Sequence, residues 1–203
     1  MGARLLLTRH GQTEWHAENR YAGTSEVALT AEGIRQAEAL AAYARRVKPD
    51  QLFCSPQQRA RRTMEPTAEA LDLLPEIVND LRETHFGIAE GRTREEVRQS
   101  DPEAVERFLA NPVAGAFPGA DDPVAAAARG AGAIRAIAAA TSGTALVVAH
   151  NTLLRLTLCQ LLGIPLERYR TVFPRLDNAA VTELDVSDGR TALVRFNLPV
   201  EAR

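Results

Sequence analysis

Two arginines and two histidines are spaced along this chain so that they could hold and attack a compact anion. Arg9-His10 follows the apolar run Leu5-Leu6-Leu7, and His150 follows Ala145-Leu-Val-Val-Ala149. A third short run, Leu52-Phe53-Cys54, ends at Ser55, with Arg59 four residues further on. Ligands of an open α/β sheet sit beyond the carboxyl ends of its strands, where helix N-termini also converge. If the three runs are neighbouring strands, Arg9, His10, Arg59 and His150 meet at one place. Two planar, permanently charged guanidinium groups and two imidazoles suit a small dianion, and phosphate is the natural guest. Taken singly the signals are weak: Arg-His-Gly is usually a turn, and a histidine after an apolar run is usually a core residue. Their shared placement after strands of like pattern gives them weight.

The elements that must position these groups are legible. Arg4–Thr8, Gln51–Cys54 and Thr144–Ala149 read as buried strands. Thr30 is an N-cap for a helix whose apolar positions Ile34, Ala37, Leu40, Ala41 and Ala44 recur at helical spacing until Lys48-Pro49. Ser55-Pro56 is expected to open a second helix running to Leu71, with proline in its first turn. An alanine-rich helix runs from Asp122-Pro123 toward Ala140, and another from about Thr152 to Leu162, closed by Gly163 and Pro165. Residues 80–123 are more polar and rich in glycine and proline. They read as an excursion with short helices begun by Thr93-Arg-Glu-Glu96 and Asp101-Pro102. Val181–Val186 and Thr191–Phe196 flank Ser187-Asp-Gly-Arg190, a hairpin signal. The expected architecture is a three-layer α/β/α domain over residues 1–203. It has a mostly parallel mixed sheet, an antiparallel hairpin at one edge, and the excursion covering the site.

Composition bounds the remaining choices. The 203 residues are 45% hydrophobic and 5% aromatic, enough for one cored domain and unlike disordered or coiled-coil chains. Lys+Arg 24 against Asp+Glu 26 leaves a net charge of −2, so no global positive field recruits nucleic acid or an anionic membrane. Cys54 and Cys159 sit in apolar stretches and read as buried thiols, the chain reading as a soluble cytoplasmic protein without an export signal. A monomer and a homodimer are equally compatible, the exposed hairpin edge being a surface that could pair between subunits.

Leu7-Thr-Arg9-His10-Gly11-Gln-Thr13 resembles the signature of the histidine phosphatase superfamily, also called phosphoglycerate-mutase-like. Further matches fall in the family's order: Arg20 and Gly23; Leu29-Thr30 with Gly33 and Gln36-Ala37; Ser55 with Arg59-Ala60 and Thr63; Leu81 with Glu83; Phe86-Gly87 and Glu90-Gly91; His150 with Arg155; and Asn178. The resemblance covers roughly residues 4–182. It implies a phosphoglycerate-mutase-like fold, His10 as the nucleophile forming a phosphohistidine, and Arg9, Arg59 and His150 as holders of the phosphoryl oxygens. Glu83 is promoted by the resemblance alone, as proton donor to the leaving alcohol and then as base for water. Neither a cofactor nor a metal ion is implied. Thr13, His16, Arg20, Gly23 and Asn151 are carried as substrate-binding candidates.

Three departures stand out. His16 occupies the place where the family usually has asparagine, and a titratable donor there would make phosphate affinity pH-dependent. Asn151 replaces the glycine that commonly follows the second histidine, and asparagine tolerates positive φ. Gly119-Ala120-Asp121 stands where the family has a Gly-Glu-Ser-like stretch, which puts any contact of the missing glutamate in doubt. The segment Glu83–Gly91 looks like the phosphatase branch, not the mutase branch with its Tyr-Gly pair and longer chain. A phosphatase acting on small phosphate monoesters is therefore expected. A phosphoglycerate-type mutase, a phosphohistidine-protein phosphatase and a non-catalytic phosphate sensor on the same fold are the alternatives. Phe86, Phe117, Trp15 and Tyr21 are expected to give the substrate an apolar or stacking contact.

Overall fold

The computed structural model describes residues 2–187 and 189–200. Along the chain lie β1 (Ala3–Arg9), α1 (Ala31–Val47), β2 (Gln51–Cys54), α2 (Gln58–Leu71), β3 (Glu76–Ile77), α3 (Arg94–Ser100), α4 (Pro102–Ala110), α5 (Pro123–Ala140), β4 (Thr144–Ala149), α6 (Asn151–Leu162), α7 (Tyr169–Val172), β5 (Val181–Ser187) and β6 (Arg190–Leu198). The strands form one sheet in the order β3-β2-β4-β1-β5-β6. The first four are parallel, and β5 and β6 run antiparallel as the edge hairpin.

The period-2 alternation of side chains builds the layers. Leu6, Leu52, Cys54, Leu146 and Val148 point to one face and pack against Leu40 and Ala44 of α1 and Ala60 and Met64 of α2. Leu5, Leu7, Phe53, Ala145, Val147 and Ala149 point to the other and meet Ile134 and Ile137 of α5 and Leu154 and Leu158 of α6. A strand covered on both faces cannot alternate polar and apolar residues, which is why β4 reads TALVVA. The excursion has a small core of its own, in which Ala89, Val97, Val105, Phe108 and Phe117 pack with Tyr21 and Phe86.

Crossover connections place β4 between β1 and β2, so three strand ends lie side by side. Arg9 pairs with Ala149 and Cys54 with Val148. The ladder continues one step beyond, with the His10 N–H donating to the Ala149 carbonyl and the Ser55 N–H to that of Val148, each at 3.0 Å. That continuation corrects one boundary. The second helix begins at Gln58, not Ser55, because Ser55 is held in sheet register and Gln57 keeps extended backbone at the N-cap.

The other helix ends follow their local chemistry. Thr30, Asp101 and Asp122 each accept a first-turn N–H, Thr93 and Glu96 form a reciprocal capping box, and Gly163 ends α6 in the left-handed region at φ 67°. Both hairpin strands run slightly longer than expected, and Asp188 of the expected turn lies outside the described residues. The two-residue edge strand β3, parallel to β2, has no signal in the sequence. Among the described residues no helix is long and apolar enough to cross a membrane.

Candidate active site

His10 is set on the end of β1 with only one ring nitrogen uncommitted. Its Nδ1 lies 2.8 Å from the Gly11 carbonyl, which can only accept, so Nδ1 carries the proton and Nε2 keeps its lone pair. The Gly11 N–H donates to the Thr63 hydroxyl at 2.9 Å. A Cβ at Gly11 would come within 2.6 Å of the Gly33 carbonyl oxygen, and this close approach of loop to α1 explains both glycines. Burial, followed by the charges of Arg59 and Arg9, holds the His10 imidazole well below its ordinary pKa, so it is neutral and nucleophilic at physiological pH.

The hydrogen-bond donors approach from three elements. Arg9 donates to the Leu176 carbonyl at 2.9 Å and meets His16 Nε2. His150, fully buried, lies with its ring 5.2 Å from that of His10, its Nε2 2.7 Å from the Ser55 hydroxyl. Arg59 sits on the first turn of α2, buried, and donates to the carbonyls of Ala22, Gly23 and Ser25. Buried polar atoms are almost always satisfied. Here Arg9 Nε, Arg59 Nε, His150 Nδ1 and Asn151 Oδ1 have no partner. With the Ser55 hydroxyl donating to Nε2, the His150 proton lies on Nδ1, and the three residues whose charges or rings bear on His10 each keep one buried donor without a partner.

Glu83 is buried at the N-terminus of α6. Its Oε1 accepts the N–H groups of Thr84 and Leu153 and its Oε2 that of Thr152, each at 2.9 Å. These bonds favour the carboxylate, yet burial outweighs them and pushes the pKa above the ordinary glutamate value. The backbone N–H of Glu83 donates to Gln57 Oε1 at 2.8 Å, while Gln57 Nε2 donates to the Gly23 carbonyl at 2.5 Å. One amide thus ties Glu83 to the loop that Arg59 grips. Gln57 belongs to no motif and carried no sequence signal.

The remaining candidates divide. Asn151 and Thr13 line the cavity in front of His10. His16 also lines it, but its Nε2 faces Arg9 and the Asn178 amide nitrogen, which can only donate, so Nε2 accepts and Nδ1 carries the proton, 2.8 Å from the Thr13 hydroxyl. Burial, then the Arg9 charge, push its pKa down to about 4, so the neutral ring holds Arg9 and the expected titration lies far below neutrality. Gly23 has no free N–H for a ligand, since Glu90 takes it. A Cβ there would come within 2.3 Å of the Thr84 carbonyl oxygen, so the position serves packing. Arg20 borders the cavity but is committed to both oxygens of Glu96 and to Glu18. Asn178 donates to the His10 carbonyl at 2.7 Å and so steadies the nucleophile's backbone. Of the four aromatic residues expected at the substrate, Tyr21 and Phe86 line the cavity. Phe117 instead stacks on Phe108 at 4.5 Å inside the excursion, and Trp15 packs by Gly91.

The cavity has a volume of about 550 Å³ and is walled on one side by Thr93, Arg94, Glu95 and Arg98 of the excursion. Among the described residues no group of three or more His, Cys, Asp and Glu lies together as a metal site. A neutral histidine with a free Nε2, buried donors without partners and a buried acid form a site able to receive and release a phosphoryl group.

The family model of the histidine phosphatase superfamily (branch 1) matches residues 5–199. The chain belongs to that family. Phosphoserine phosphatase 1 of Hydrogenobacter thermophilus is 28% identical over 198 residues, covering 96% of this chain and 92% of that protein. The alpha-ribazole phosphatase of Shigella flexneri superposes with a TM-score of 0.86 at 27% identity, covering 98% of each chain. The mycobacterial glucosyl-3-phosphoglycerate phosphatase Rv2419c gives 0.87 at 25% identity, covering 98% of this chain and 100% of that one. This member of the superfamily is thus similar over nearly its whole length to named phosphatases, and its fold is phosphoglycerate-mutase-like.

Proposed function

We propose that this histidine phosphatase family member hydrolyses small-molecule phosphate monoesters in two displacements at His10, without a metal ion. In the first, His10 Nε2 attacks phosphorus in line, the ester P–O bond breaks, and Glu83 gives its proton to the departing alkoxide. In the second, water attacks the phosphohistidine, Glu83 takes the water's proton, and the N–P bond breaks to leave inorganic phosphate. Arg9, Arg59 and His150 neutralise charge on the equatorial oxygens of a loose transition state, a task electrostatic in nature that three fixed donors can perform.

The observation that carries this reading is the set of unpaired buried donors, Arg9 Nε, Arg59 Nε and His150 Nδ1, together with a histidine whose Nε2 is free. Phosphoryl oxygens are the acceptors such donors require. The names of the similar phosphatases support the same class of substrate. A reducing cytoplasmic setting is part of the proposal, supported by two buried, unpaired cysteines, Cys54 and Cys159.

The test is hydrolysis of radiolabelled p-nitrophenyl phosphate in the presence of EDTA by wild type and His10→Ala, with labelled phosphohistidine trapped by quenching in alkaline detergent, where the N–P bond survives. Turnover and labelling of wild type, both lost in a variant that unfolds at the wild-type temperature, are expected. Full turnover in His10→Ala would overturn the assignment.

A further inference from the structure

Six arginines line the cavity against two glutamates, and their commitments differ. Arg9 belongs to the phosphoryl end, where its Nε is free, while Arg20 is spent on Glu96 and Glu18, Arg98 on Glu95, and Arg155 on the carbonyls of Phe173 and Pro174. Arg94 and Arg170 border the same cavity, and among the described residues neither meets a carboxylate. They come from different walls, Arg94 from α3 of the excursion and Arg170 from α7.

They share the cavity lining with a further polar residue, Tyr21. The Tyr21 phenol lines the cavity, and the charges of Arg170 and Arg94 both oppose the upward push that burial gives its pKa. Tyr21 is fixed by the rings of Phe86 at 5.0 Å and Phe117 at 5.5 Å. The Arg170 guanidinium lies 5.2 Å over the Phe108 ring. Arg170 also repels Arg155, so like charges gather at this end of the cavity, and among the described residues neither Arg94 nor Arg170 is paired with a carboxylate. A cavity of about 550 Å³ is several times larger than a phosphoryl group needs, leaving room for the alcohol part of an ester.

Resting on the phosphatase reading above, we propose that Arg94, Arg170 and the Tyr21 hydroxyl bind an anionic group, a carboxylate or a second phosphate, carried by the alcohol part of the substrate. The phosphoryl end then lies at His10 and the second anion at the opposite wall, so an acidic phosphate ester spans the cavity. Esters of neutral alcohols leave the two arginines uncompensated and are poorer substrates.

Two matched pairs test this: 3-phosphoglycerate with glycerol 1-phosphate, and fructose 1,6-bisphosphate with fructose 6-phosphate. In wild type, kcat/KM is expected to favour the acidic member of at least one pair by about tenfold or more, the worth of one charge-assisted contact. The pair that shows it identifies the anion. In Arg94→Gln/Arg170→Gln the acidic-to-neutral ratio should collapse toward one, and the exposed single variant Arg94→Gln should lower it part-way. No preference in either pair, or a preference that survives the double variant, would overturn the proposal. Calorimetric binding of the same four esters to His10→Ala separates the two readings. Wild type inert toward every ester, with His10→Ala still binding the acidic member more tightly, overturns the phosphatase reading and supports the subsite.

Discussion

Replacing Glu83 by glutamine keeps the shape of the side chain and removes its transferable proton. Oε1 accepts two N–H groups and Oε2 one. The glutamine oxygen can keep the pair from Thr84 and Leu153, and its NH2 group then faces the Thr152 N–H, donor against donor. One lost bond and one buried unsatisfied donor cost about 1–3 kcal/mol. For a chain of 203 residues each kcal/mol lowers Tm by about 2–4 °C. Loss of a general acid slows an alkyl ester about 10²–10⁴-fold, or about 3–5 kcal/mol of barrier. Nitrophenolate departs without a proton, so p-nitrophenyl phosphate should lose far less. The pH profile supplies an independent check. Glu83 must be protonated to act, so wild-type kcat/KM for an alkyl ester falls as pH rises through its raised pKa, and the variant should lack that limb once substrate ionisation is corrected for. Initial rates on glycerol 1-phosphate and p-nitrophenyl phosphate across pH, with calorimetric Tm, measure all three. Equal losses on the two esters, or a persisting basic limb, would refute the role of Glu83.

Folding stability should fall on acidification. His10, His16 and His150 all have pKa values depressed by burial and by neighbouring arginines. The folded chain therefore binds fewer protons than the unfolded chain below about pH 6.5, and stability is lost at up to about 1.4 kcal/mol per pH unit per histidine. Glu83, raised, works in the opposite direction and is outnumbered. Urea unfolding between pH 7.5 and 5 measures the slope, and a flat or rising stability would contradict the buried neutral imidazoles. Glu90→Ala is expected to reduce kcat/KM about a hundredfold on any ester, a loss typical of a small misplacement. The Glu90 carboxylate accepts the N–H of Gly23 and both the N–H and hydroxyl of Ser25, shaping the loop whose carbonyls hold Arg59. Wild-type kinetics on p-nitrophenyl phosphate in that variant would show that Arg59 is positioned by other means.

What the residues alone determined was local and periodic. Strands buried on both faces, capped helices and an antiparallel edge hairpin follow from hydrophobic pattern and turn chemistry, which act over a few residues. Strand ends bearing Arg9-His10 and His150 are legible for the same reason. Which strands adjoin is a long-range matter, and only the fold, by inserting β4 between β1 and β2, brings the two imidazoles within 5.2 Å of each other. The fold likewise decides which polar groups are spent and which are free. Arg20 and Gly23 matched the family pattern, yet their hydrogen-bonding capacity is consumed by Glu96 and Glu90, while Gln57, outside every motif, joins Glu83 to the Gly23 loop. A hydrogen bond needs a partner at about 3 Å in the right direction, and separations of tens of residues along the chain do not encode that distance.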